Sequence, residues 1–249
     1  MVIKQTCLTM KKSIIFCAFI CSSLLSAGQL SIGISAGSDL STMSVYLRDL
    51  NTFRINPIFG YNVNFIAEYN LNSSLSLWSG LSITQKGFNQ HIKYYYLPHV
   101  DSTADMTSRL TYLELPVYIK FNTRLNQINL FYGIGPYISY GLQGKITTEI
   151  AGRNCNDLSI TDKISWDKPR DYIKSDLVRE YGYTDIKRFD FGLSTILGVR
   201  CKNFIITANY KYGLNNIMWE YFQDEKMANS SLSLSVGYFF TKTSAPRQL

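Results

Sequence analysis

The sequence is poor in the residues that catalysis and metal binding normally use. Its 249 residues include two histidines and five cysteines, and only 17% of the residues are charged. Histidine-based catalysis and zinc cages draw on those side chains, so we predict that the protein is not an enzyme and binds neither a metal nor a cofactor. The longest unbroken apolar run, residues 14–21, is shorter than the about 18 residues that a transmembrane helix needs.

Aromatic side chains, by contrast, are abundant. The chain has 18 tyrosines and 14 phenylalanines, and 46% of its residues are hydrophobic. Such a composition excludes intrinsic disorder, because these side chains must be buried in protein or in lipid. Together with the low charge and the 16 glycines, it indicates an all-β protein with an unusually apolar surface.

The amino terminus has the order of a secretory signal peptide. Three lysines precede an apolar segment that ends in Ser26, Ala27 and Gly28. We therefore predict that residues 1–28 are removed, with translation starting at Met1 or Met10, and that residues 29–249 form a single domain. Loss of the three lysines lowers the net charge from +7 to +4, which argues against a nucleic-acid partner. In the mature chain, Cys155 and Cys201 either pair or stay free.

The mature chain alternates apolar and polar residues with the period of a β-strand. Segments of this kind occur eight times, and several are long enough to cross a bilayer at a tilt. An even number of long antiparallel strands is typical of an outer-membrane barrel. The predicted strands include residues 32–36, 59–69, 75–83, 113–121, 128–140, 189–199, 204–212 and 232–240.

Two architectures fit this alternation, and the position of the aromatic residues distinguishes them. A soluble barrel or sandwich would turn the apolar face inward, whereas a membrane barrel turns it toward lipid. Tyrosine and phenylalanine near both strand ends match the two aromatic girdles of a membrane barrel. One predicted girdle contains Tyr69, Phe121, Phe204 and Phe240, and the other contains Phe59, Tyr140, Phe189 and Tyr212.

The opposite face carries small, polar and charged residues, as a narrow lumen requires. We predict a polar network there, with Glu114 near Lys120 and with Asp190 near Arg200 and Lys211. Such a network either conducts protons or ions or plugs the lumen, and an eight-stranded barrel favours the plug. The predicted network comprises Glu68, Glu114, Lys120, Asp190, Arg200 and Lys211, and the predicted inward aromatic residues are Trp78, Phe88, Tyr112, Tyr118, Phe131 and Tyr137.

Loop lengths predict the orientation of the barrel. Short links alternate with long ones, which is the pattern of outer-membrane barrels with the short turns in the periplasm. We therefore expect both termini in the periplasm and the long loops outside the cell. The short links are residues 70–74, 122–127 and 201–203, and the long loops are residues 41–57, 91–109, 145–187 and 215–229.

One long loop contains residues that could serve catalysis or bind a metal. His91, His99, Asp101, Ser102 and Asp105 lie close in sequence, and barrel enzymes that cleave lipid acyl chains use Ser, His and a carboxylate. The spacing matches neither a nucleophile motif nor a fixed ligand set. A polar exposed loop is therefore the favoured interpretation.

Five segments of the predicted strands carry a resemblance to a known family. They are residues 113–120 (LELPVYIK), 132–140 (YGIGPYISY), 190–198, 210–216 (YKYGLNN) and 236–240 (VGYFF). These segments resemble the PorT-type outer-membrane β-barrel family of Gram-negative bacteria. The resemblance covers nearly the whole mature chain and implies an integral protein of the outer membrane. Its namesake is associated with protein secretion and gliding, so the partners implied are outer-membrane lipids and other envelope or secretion proteins.

Three functions stay open: a plugged barrel with binding or secretion-associated surface loops, a small passive channel, and a lipid-modifying enzyme.

Overall fold

The protein is an all-antiparallel β-structure. The computed structural model describes residues 30–46, 54–94, 102–126, 128–152, 155–166, 186–218 and 226–240. Across these residues, no helix has the length and apolar character to span a membrane. The strands are β1 (Leu30–Tyr46), β2 (Arg54–Asn70), β3 (Leu75–Tyr94), β4 (Ser102–Leu125), β5 (Ile128–Gly152), β6 (Cys155–Lys163), β7 (Phe189–Cys201), β8 (Phe204–Gly213) and β9 (Lys226–Phe239).

Eight of the strands close into a barrel. Each pairs with its neighbours in the order β1, β2, β3, β4, β5, β7, β8 and β9, and β9 pairs back with β1. The predicted eight-stranded antiparallel barrel is thus confirmed. Strand β6 was not predicted, and in the described part of the chain it pairs only with the far end of β5.

Burial is inverted relative to a soluble protein. On the outer face Leu197 and Leu234 are 61% and 62% exposed, whereas the carboxylates of Glu114 and Asp190 lie on the inner face at 0% exposure. Alternation along each strand produces this arrangement, since successive side chains point to opposite faces. The apolar outer face is that of a barrel surrounded by lipid.

Aromatic residues lie near both ends of the outer face. Near the short turns, the rings of Phe121 and Tyr132 stack at 5.1 Å, and those of Phe204 and Tyr238 meet edge to face at 5.3 Å. At the other end, Tyr140 packs against Phe189 at 5.1 Å. We call the end with the short turns the lower end and the opposite end the upper end. The predicted girdle residues are exposed, except Tyr69, which is half-buried.

The predicted long loops are in large part strands. Within the predicted loop of residues 41–57, β1 continues to Tyr46 and β2 begins at Arg54, and within that of residues 91–109, β3 continues to Tyr94 and β4 begins at Ser102. Residues 145–187 begin with the end of β5 and all of β6, and β9 begins at Lys226 within residues 215–229. Backbone pairing continues beyond the lipid-facing residues, where the outer face is polar and the apolar alternation ends.

A β-bulge separates the two parts of the wall. The register between β4 and β5 shifts at Thr111 and Tyr112, leaving Leu142 as the extra residue of β5. Below this point the even-numbered residues of β5 face outward, and above it the odd-numbered ones do. We call the four-stranded part above the bulge the raised sheet, which contains residues 87–94 of β3, 102–109 of β4, 145–152 of β5 and all of β6.

Candidate functional site: the barrel lumen and its upper cap

The lowest layer of the lumen is a charged cluster around Glu68. Its carboxylate forms an ion pair with Lys120 and accepts hydrogen bonds from Arg200 at 3.2 Å and from Ser76 at 2.9 Å. The Lys120 ammonium also lies 4.3 Å from the centre of the Phe131 ring. The attraction of the carboxylate for the two cations, and of the cations for the nearby ring faces, thus offsets the free-energy cost of burying these charges.

An apolar layer lies next to this cluster. The rings of Trp78 and Phe131 stack at 5.7 Å, and Trp78 meets Phe239 edge to face at 5.8 Å. Ring packing requires a glycine at position 198, because a Cβ there would lie 2.2 Å from the Phe131 ring. The layer comprises Ile66, Trp78, Tyr118, Phe131, Ile196, Ile205 and Phe239.

The central network is built around Glu114. Its side chain is fully buried and forms ion pairs with Lys86 at 2.9 Å and with Lys211. Ser139 donates a further hydrogen bond to it at 2.9 Å. Because two ammonium groups and a hydroxyl surround the Glu114 carboxylate, each of these buried charges has a partner within the protein.

Two more carboxylates extend the central network. Asp190 accepts hydrogen bonds from Asn229 at 2.8 Å and Tyr137 at 3.4 Å, and it lies 3.6 Å from the Lys86 ammonium. Asp39 accepts hydrogen bonds from Thr84 and from Asn62, the latter at 2.8 Å. The buried charged residues of the described chain are four carboxylates and four cations, so their formal charges cancel. They are Asp39, Glu68, Glu114 and Asp190 with Lys86, Lys120, Arg200 and Lys211.

The six residues predicted for the lumen are all buried there, but their partners differ from those predicted. Lys120 and Arg200 bind Glu68 in the lower cluster, and Lys211 binds Glu114 in the central network. Glu114 and Lys120 lie six residues apart on one strand, which separates them by about 20 Å. Which charged residues form ion pairs depends on the register between neighbouring strands, and the sequence alone does not reveal that register.

Two charged residues of the lumen, Lys86 and Asp39, were not among those predicted from the sequence. Both side chains are buried, at 1% and 0% exposure. Period-two alternation would have found them, because Ile83 and Ala36 face outward and Lys86 and Asp39 have the opposite parity. The predicted strands ended at residues 83 and 36, before the charged positions were reached.

A small polar cavity lies between the central network and the lower apolar layer. Its volume is about 40 Å³, and its polar lining includes Ser35, Asn64, Ser82, Thr207, Asn209 and Lys211. Hydroxyl and amide groups in a space of this size are suited to hold a few water molecules. Within its lining, Asn209 donates a hydrogen bond of 2.5 Å to the hydroxyl of Tyr118.

An apolar cluster, here called the cap, fills the upper end of the lumen. Trp166 packs edge to face on Tyr112 at 5.7 Å and lies over Gly141, where a Cβ would come within 2.4 Å of its ring. The cap is nearly fully buried. It comprises Met43, Phe88, Met106, Leu110, Tyr112, Ile146, Ile164, Trp166, Ile186, Ile217, Met218 and Met227.

Backbone hydrogen bonds hold the cap between β5 and β9. Ile164 donates to Gly144 of β5 at 3.0 Å, and Ile217 donates to Met227 of β9 at 2.9 Å. Between these contacts, Ile186 donates to Ser165 at 3.1 Å. A short bridge of Ile186 with Met218 completes the series. The upper lumen is therefore closed at the side as well as filled.

The loop residues considered for catalysis or metal binding, for which a polar exposed loop was the favoured interpretation, do not form a site in the described part of the chain. His91 Nδ1 lies 2.7 Å from Asp105 across the β3–β4 pair. Ser102 belongs to β4, whereas His99 and Asp101 lie outside the described residues, as do residues 1–28. Among described residues, no three metal-ligating side chains come together. Cys201 is a free thiol.

Solved structures of outer-membrane proteins are similar to this chain at low sequence identity. Ail, the attachment invasion locus protein of Yersinia pestis, is 16% identical in its complex with a heparin analogue, with 85% of this chain and 99% of that chain covered (TM-score 0.35). Neisserial surface protein A is 13% identical over 83% and 96% (TM-score 0.35), and OprG from Pseudomonas aeruginosa is 12% identical over 85% and 94% (TM-score 0.38).

A family assignment comes from the sequence itself. No curated protein matches the chain. The family described as "Outer membrane protein beta-barrel domain" matches residues 25–218, which include β1 to β8. This chain therefore belongs to the outer membrane protein beta-barrel domain family.

Proposed function

We propose that this protein is a closed, non-enzymatic barrel of the outer membrane that presents the raised sheet at the cell surface for binding or for a secretion-associated role. The observation that carries the proposal is the filling of the lumen in successive layers. From the lower end these are the Glu68 cluster, the apolar layer, the Glu114 network and the cap. With the lumen filled, the exposed residues above the membrane are left to make specific contacts.

Lumen packing supports a plug rather than a channel. Glu114 and its two lysines are at most 5% exposed, so ions moving past them would have to break buried ion pairs. The cavity of about 40 Å³ holds water-sized molecules only, and it lies between filled layers. A passive channel is the alternative outcome of the conductance measurement described in the Discussion.

The fold does not favour the lipid-modifying alternative. Ser102 lies three residues from Asp105 on one strand, and its register partners are Tyr94 and Gly152. The only described partner of His91 with a charge is Asp105. A nucleophile needs a base within hydrogen-bond reach, whereas the backbone register places Asp105, not Ser102, opposite His91.

Orientation follows from the difference between the two ends. The lower end has the short links that follow β2, β4 and β7, and both ends of the described chain lie there. Short turns face the periplasm in known barrels, so we assign both termini to the periplasm and the raised sheet to the outside. The resemblance to PorT-type barrels then makes envelope or secretion proteins the expected partners, alongside outer-membrane lipids.

We expect a cysteine on the raised sheet to be labelled on intact cells. In a background with Cys155→Ser and Cys201→Ser, Ser102→Cys should react with a membrane-impermeant maleimide, because β4 begins at this residue near the upper tip. Ser73→Cys, in an exposed lower turn, is the matched control and should react only after the outer membrane is permeabilised. The reverse pattern would overturn the orientation.

A further inference from the structure

Three cations lie side by side on the outer face of the raised sheet. Arg109 of β4 is directly opposite Lys145 of β5, and Lys145 is directly opposite Lys163 of β6. Alternation places all three on the outer face, because Leu110, Ile146 and Ile164 next to them are buried in the cap. We call Arg109, Lys145 and Lys163 the basic row.

The basic row is level with the upper aromatic girdle. The Arg109 guanidinium donates a hydrogen bond of 3.1 Å to the backbone oxygen of Phe59. Lys145 follows Leu142, an outward apolar residue, by three positions. A fourth cation, Arg188, lies 5.2 Å from the centre of the Tyr140 ring. These contacts place the cations at the height where lipid headgroups meet the barrel.

An anion relieves the repulsion between Arg109 and Lys145, which lie directly opposite each other. Like charges directly opposite each other on neighbouring strands are unfavourable. Arg109 is hydrogen-bonded to the uncharged oxygens of Phe59 and Gln85, and Lys145 forms no ion pair with any described residue. Asp105 and Glu149 are on the same face but four residues farther up their strands, about 13 Å away.

The residues just above the basic row add hydrogen-bond donors. Thr107, Thr147 and Thr161 form the next outward-facing row, two residues farther from the membrane. Thr147 and Thr161 bond each other through their hydroxyls at 3.2 Å, so their oxygens lie side by side. Cations with hydroxyls beside them suit the several oxygens of a phosphate group.

We propose that the basic row binds the phosphate of an anionic lipid headgroup, with the acyl chains lying along Leu142 and Tyr140 below it. The identification of the lipid rests on the orientation proposed above. In that orientation the basic row lies at the outer leaflet, and the ligand is a phosphorylated glycolipid of that leaflet. Acyl chains of the bilayer cover the apolar surface below the basic row, and the basic row distinguishes this lipid from others by its phosphate.

Binding is tested with lipid A and with the same glycolipid lacking its phosphates. The purified barrel is refolded into symmetric phosphatidylcholine vesicles, and its affinity for each lipid is measured by fluorescence titration with a labelled lipid. A cation near a charged surface contributes roughly 1 kcal/mol to binding, which corresponds to about a fivefold change in affinity. The single variant Lys145→Gln should therefore weaken lipid A binding about fivefold. The double variant, which adds Lys163→Gln, should weaken it about 25-fold. Lys226→Gln, an exposed upper-end lysine on β9, is the matched control and should bind like the wild type.

Each outcome decides the proposal. Tighter binding of lipid A than of its phosphate-free form, reduced by Lys145→Gln and not by Lys226→Gln, supports it. Equal affinity for both lipids, or an unchanged affinity in the double variant, overturns it, provided that heat-modifiable gel mobility shows each variant to be folded. Inorganic phosphate that binds as tightly as lipid A would make this a free-anion site and overturn the lipid assignment. Each sample of the titration is prepared with a set mole fraction of labelled lipid in both leaflets of the vesicles, so an error in the cellular orientation leaves this test unaffected.

Discussion

Replacing Glu114 with alanine is expected to lower the free energy of unfolding by about 3 to 5 kcal/mol, the cost of breaking a buried ion pair from one side. The variant removes the carboxylate shared by Lys86 and Lys211. Lys86 keeps Asp190 at 3.6 Å, whereas Lys211 loses its only described ion-pair partner. Urea unfolding of the barrel refolded into vesicles measures the change.

Two further variants separate this effect from a general loss of packing. Glu149→Ala removes an exposed carboxylate from the raised sheet and should change the free energy of unfolding by less than about 0.5 kcal/mol. Adding Lys211→Met to Glu114→Ala should recover part of the loss, because it removes the unpaired cation. Equal costs for Glu114→Ala and Glu149→Ala would show that Glu114 is not a buried, paired charge.

Arginine in place of Ile134 is expected to destabilise the inserted barrel by about 2 to 4 kcal/mol, as at the midplane of other membrane barrels. Ile134 lies between the outward-facing Tyr132 and Tyr140 of β5 and is 54% exposed on the outer face. Its neighbour across the β4–β5 pair, Ile119, is 52% exposed on the same face. Folding yield and urea unfolding in vesicles measure the loss.

Thr103→Arg provides the matched control for this substitution. Thr103 lies on the outer face of the raised sheet, near the beginning of β4 and well above the bulge. An arginine there should stay in water and leave both the folding yield and the free energy of unfolding nearly unchanged. If the two variants lost stability equally, the apolar outer face would not be the lipid-facing one.

The membrane-spanning part of the fold was predictable because its signal is local. Alternation with period two assigns each residue to a face, and aromatics such as Phe121 and Phe189 indicate the two ends. Both features depend only on the neighbouring residues in the chain. Burial of Glu114 and Asp190 in the lumen follows from the same parity.

Features that depend on pairing between strands were not predictable in the same way. The bulge at Leu142 reverses which residues of β5 face outward, so the period-two alternation is interrupted there although the strand continues to Gly152. Beyond it the outward residues are polar, such as Lys145 and Thr147, and their sequence resembles a loop. Ion-pair partners depend likewise on register: Lys211 reaches Glu114 from a strand 97 residues away.

The central claim is that side chains, rather than a water path, fill the lumen, and single-channel recording tests it most directly. Pure wild-type barrel, shown to be folded by its heat-modifiable mobility, is inserted into planar bilayers beside a porin as a positive control. Because the Glu114 network and the cap close the lumen, we predict no conductance steps from the wild type under conditions in which the porin conducts. Stable, reproducible conductance steps from the wild-type barrel would contradict the claim and make the protein a channel.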